Sequence, residues 1–130
     1  MNSLFTALIA TLLLLSPLAG AAEVDMEKTM KQMALSFKQA KEAQTAQQMT
    51  GALADFEAQL QQAQQGKFQA DKAELFQQGL KELAVELDQT QLLLQQNNFT
   101  AAQQQLVKMD ELRKKYHKHR SPSFWQLIFG

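Results

Sequence analysis

The chain contains no cysteine, only two prolines and one tryptophan, and its 13 basic and 13 acidic residues cancel. The missing cysteines exclude disulfides, thiolate metal sites, iron–sulfur clusters and covalent haem attachment through C-x-x-C-H. The fold therefore stands on its own core, without a covalent staple. Zero net charge removes the general electrostatic argument for nucleic acid, and no nucleic-acid partner is expected. Between Val24 and Arg120 proline is absent altogether, which removes the commonest helix breaker. No Ser–His–Asp arrangement, inward carboxylate pair or glycine-rich phosphate loop is apparent, so an enzyme is not expected.

What is present begins with a leader. "MNSLFTALIATLLLLSPLAGAAEV" holds an apolar run from Leu4 to Leu15, then Pro17 and small residues. A membrane span takes about 20 apolar residues, more than this run offers. Ala19-Gly20-Ala21 fits the A-x-A pattern read by signal peptidase, so residues 1–21 read as a signal peptide cleaved before Ala22. The leader lacks Lys and Arg, and a retained N-terminal anchor is the alternative.

From residue 22 to 120 the chain is rich in Ala, Gln, Leu, Lys and Glu, all good helix formers. Apolar residues recur at steps of three and four, the period of an amphipathic helix. A first stripe runs through Met26, Met30, Met33, Phe37 and Ala40. Thr45 is placed to N-cap a second helix, with Gln48 three residues on as in a capping box. That helix carries Met49, Leu53, Phe56, Leu60 and Ala63, and "QQGKFQAD" around Gly66 breaks it. A third stripe holds Phe76, Leu80, Leu83, Leu87 and Leu94, and Asn97-Asn98 suits a turn or left-handed position. A fourth follows through Ala102, Leu106, Met109, Arg113 and Tyr116. Four one-faced helices with short connections predict an all-α fold, an antiparallel up-down-up-down four-helix bundle.

Ser121-Pro122 ends the last helix, because the residue before proline is pushed out of the α region. Residues 121–130, "SPSFWQLIFG", form an apolar tail. It either folds back on the bundle or docks on a partner or membrane surface.

The two histidines, His117 and His119, are separated by helical phase. At about 100° per residue, position 117 lies at the edge of the fourth stripe, and position 119 lies about 160° away from it. His119 therefore reads as a solvated residue. In an up-down-up-down bundle the start of the first helix is level with the end of the fourth. That puts Met30 and His117 at one end. A thioether and an imidazole form one of the axial pairs used for haem iron. Met30 read alone is equally a core filler, since methionine packs irregular interiors.

The end "RKKYHKHR" resembles the R-x-x-Y-H ending of the cytochrome b562 family, with Arg113, Tyr116 and His117 on the matching positions. "AAQQQL" from Ala101 is similar to the family's Ala/Gln-rich start of the fourth helix. "FQQGL" from Phe76 is similar to its aromatic with a glycine three residues later, and "GALADF" from Gly51 to its second helix. Counting back from there without a gap places Met30 on the family's axial methionine, and the resemblance covers nearly all of residues 22–120.

The resemblance implies a periplasmic electron-transfer protein with one non-covalent haem b, Met30 and His117 being the axial ligands. Met33, Phe37, Phe76, Leu80 and Met109 are then expected to line the porphyrin, with Arg113 near its edge or a propionate. Partner redox proteins are implied but not named by it. The chain departs from the family in a shorter link between the second and third helices, in Leu80 where a second aromatic is common, and in the tail.

Two other readings use the same residues. One is a haem-free periplasmic chaperone or adaptor working through its Gln-rich faces and tail. The other is a copper-binding protein using Met26, Met30, Met33 and His117, since thioethers suit Cu(I).

Overall fold

The computed structural model describes residues 24–117 except Gln69, and at Arg113, Tyr116 and His117 the backbone alone. The expected leader, His119 and the 121–130 tail lie outside the described residues. Within them the protein is all-α. Helix α1 spans Met26–Glu42, α2 Ala46–Gln64, α3 Ala73–Gln95 and α4 Phe99–His117. They form an antiparallel four-helix bundle in which α1 packs along α2, α2 along α3, and α3 along α4.

The helix ends are set by local chemistry. Asp25 Oδ1 accepts from the Lys28 amide at 3.1 Å, and Thr45 Oγ1 from the Gln48 amide at 3.1 Å. The return bond from Gln48 goes one residue further back than a capping box has it, to the Gln44 amide at 2.9 Å. At the other turn the two asparagines divide the work. Asn97 takes a left-handed φ of 58°, its amide donates to the Leu94 carbonyl, and the Asn98 amide donates to Leu93. These bonds make a Schellman ending for α3. Asn98 Oδ1 then accepts from the Ala101 amide at 3.1 Å and starts α4.

The core is built from the expected stripes, with the Arg113 and Tyr116 side chains of the fourth outside the description. Met30, Met33, Phe37, Met49, Leu53, Phe56, Leu60, Leu80, Leu83, Leu87, Leu106 and Met109 form one buried cluster, and Met26 packs against it partly exposed. Helix α3 fixes the register through polar bridges to both neighbours. Gln91 Nε2 donates to Glu57 Oε2 at 2.9 Å, Gln77 Nε2 to the Gln64 carbonyl at 3.0 Å, and Gln105 Nε2 to Glu86 Oε2. Lys115 Nζ stands 3.6 Å from Glu82 Oε2. Among the described residues no helix is long and apolar enough to cross a membrane.

Candidate functional site

Three of the four sides of the bundle are tightly packed. The fourth, between α1 and α4, is the least closely packed of the neighbouring pairs among the described residues. A cleft of about 270 Å³ opens there, with Lys41 on the α1 side and Gln103, Leu106, Val107 and Asp110 on the α4 side.

This seam gives both helices a common scale. Met30 is eleven residues before Lys41, and His117 is eleven after Leu106. Eleven residues make three turns plus about 20°, and a rise of about 16 Å. Met30 therefore lies on the same face of α1 as Lys41, and position 117 on the same face of α4 as Leu106. Both are displaced by the same amount along antiparallel helices, toward the same end. Met30 is also 1% exposed, so its thioether sits inside the bundle on the seam side.

The other methionines differ in place. Met33 and Met109 are fully buried in the core, and Met26 lies at the bundle end beneath Gly66, where an added Cβ would collide with the Met26 sulfur. An added side chain there would have to displace the flexible end of Met26.

The remaining expected lining residues are buried. Phe37 is 3% exposed, tilted against Phe56 with ring centroids 6.0 Å apart, and Lys41 Nζ lies 5.0 Å from its centre. Leu80 and Phe76 are buried on α3. Phe76 precedes Glu86 by ten residues, and ten residues after Gln105, the partner of Glu86, is Lys115. In antiparallel helices this sets Phe76 level with the last turn of α4. Arg113 lies one turn before His117 on α4, and its side chain, like that of His117, lies outside the description.

Two contacts, one at this end and one at the other end of α1, escaped sequence reasoning. Phe68, in the connection after α2, meets Phe76 edge-on at 5.3 Å and 64°. Lys41 covers Phe37 at the mouth of the cleft. An aromatic two residues past the helix-breaking glycine was the available signal for the first, but its partner is set by tertiary packing.

A group of three or more His, Asp or Glu side chains able to hold a bare metal ion does not occur among the described residues. The Lys31 amine is raised above its ordinary value by the hydrogen bond and charge of Glu27, but it stands on the solvated face of α1. The register instead places one buried thioether, Met30, level with position 117 along the least closely packed seam, and Met33, Phe37, Phe76, Leu80 and Met109 are buried. A thioether and an imidazole with apolar side chains are a residue set that fits a flat, apolar macrocycle carrying a metal.

The family model for cytochrome b562 matches residues 25–120. No curated protein and no solved structure matches the chain.

Proposed function

The chain belongs to the cytochrome b562 family, and we propose that it is a periplasmic electron carrier whose b-type haem is held between Met30 and His117. Family membership implies the haem and the electron-transfer role. The observation that carries the ligand assignment is the shared register of Met30 and position 117 on the two faces that flank the α1/α4 seam.

When bound, the haem supplies one-electron exchange between ferric and ferrous iron. The chain's residues do the rest. Met30 offers a neutral sulfur that favours the ferrous state more than a second imidazole would. His117 would hold the iron through an imidazole nitrogen. Held by both residues, the haem would offer no free position for oxygen or peroxide chemistry, which suits electron transfer. Met33, Phe37, Phe76, Leu80 and Met109 surround the site with apolar surface and exclude water. Arg113, one turn before His117, is placed to meet a propionate with its guanidinium. Residues 1–21 serve as an export signal, 22–120 as the haem-binding bundle, and 121–130 as an appended tail.

The test is a haem titration of the purified chain followed by visible spectroscopy. One equivalent of haem, a sharp reduced α-band and no response to added carbon monoxide are expected. A chain that stays colourless in the titration contradicts the haem reading. A saturated complex that readily takes up carbon monoxide contradicts the two-ligand assignment.

A further inference from the structure

Phe76 is buried, at 6% exposure, and among the described residues it lies beside the contiguous core cluster rather than within it. Phe68 touches both. Its ring packs against that cluster on one side and meets Phe76 edge-on at 5.3 Å on the other. Edge-to-face pairs of this kind fix the orientation of both rings, because the positive edge of one seeks the negative face of the other.

The place of the pair is set by three independent contacts. Met26, one turn before Met30, lies under Gly66, two residues before Phe68. Gln77, next to Phe76, donates to the Gln64 carbonyl at the end of α2. The Gln105–Glu86 bridge sets Phe76 level with the last turn of α4, where His117 stands. The pair therefore sits at the Met30/His117 end of the bundle.

We infer that Phe68 is a positioning residue for the haem site: it ties Phe76 to the core and keeps water from the Met30/His117 end. This rests on the haem reading above. The apolar shell of such a site controls both water access and the reduction potential. Truncating Phe68 removes one of the rings that pack on Phe76 and opens that end to water, which weakens haem retention and favours the more highly charged ferric site.

The experiment uses the haem-loaded full chain with Phe68→Ala, the conservative Phe68→Tyr, and Leu94→Ala as a control. Leu94 is a core residue at the far end of α3. Haem loss is followed by transfer to an excess of apomyoglobin, alongside the reduction potential and the melting of the haem-free protein. Phe68→Ala is expected to release haem about tenfold faster, the size of one lost aromatic pair with its burial, and to lower the potential. Phe68→Tyr should stay near the parent. Leu94→Ala should melt the haem-free protein at least as early while changing haem loss by no more than about twofold, since its cavity lies far from the site. An unchanged release rate in Phe68→Ala overturns the inference, as does equal acceleration in Leu94→Ala, which would make the effect one of general stability. A parent chain that takes up no haem overturns the function and this inference together, whereas a haem-binding chain indifferent to Phe68 overturns this inference alone.

Discussion

At the scale of single residues, burial does not separate the ligand from the filler. Met30, Met33, Met49 and Met109 are all 1% exposed or less. Helical phase grades them: Met30 lies about 20° from Lys41, which lines the seam, whereas Met33 lies about 80° from Lys41 and about 60° from Met30. The chemistry of the sulfur then gives a direction. Met30→His replaces a thioether with a second imidazole, so the reduction potential should fall while the iron keeps two axial donors. Spectroelectrochemical titration checks this, and an unchanged potential would place the axial sulfur elsewhere. Away from the site, Leu53 is fully buried between helices. Leu53→Ala should cost about 3 kcal/mol in chemical unfolding through the cavity it leaves, a loss that is structural and independent of haem.

At the scale of helices and turns, the clearest device is the Asn97-Asn98 pair, where one asparagine ends α3 and the next begins α4. Asn97→Gly should leave stability equal or higher by a few tenths of a kcal/mol, since glycine adopts a left-handed φ freely. Asn97→Val should cost about 1–2 kcal/mol, because a β-branched side chain clashes there. Urea midpoints of the two variants check the difference in sign. Thr45→Ala, which removes the cap of α2, should cost about 1 kcal/mol in the same assay. These features were legible in the sequence because each depends on neighbours within a few residues. The stripes, the break at Gly66 and the turn at Asn97 all have local causes. What was not legible depends on partners far along the chain. Gln48 turns to Gln44 instead of the cap residue, and the α3 bridges from Glu57 to Gln91 and from Glu86 to Gln105 pair polar residues that look merely solvated in sequence. Phe68 looks like a loop residue until Phe76 is placed beside it. The seam itself was legible only as an expectation of topology. Its slackness is a property of how α1 and α4 pack, which no stripe records.

At the scale of the whole molecule, the bundle has three closely packed sides and one looser one, and the family match from 25 to 120 spans all four helices. A ligand bridging the looser side should tie α1 to α4 and stabilise the fold by mass action. At about 100 times its dissociation constant, haem should add about 2.7 kcal/mol to unfolding, read as a rise in melting temperature with haem concentration. The account rests most heavily on Met30 and His117 facing each other across that seam. The measurement that tests it most directly is the reduced visible spectrum of four haem-loaded variants: Met30→Ala, His117→Ala, Met33→Ala and His119→Ala. The account predicts that the first two lose the sharp two-ligand α-band and that the last two keep it. A band that survives Met30→Ala or His117→Ala, or disappears with Met33→Ala or His119→Ala, would contradict it.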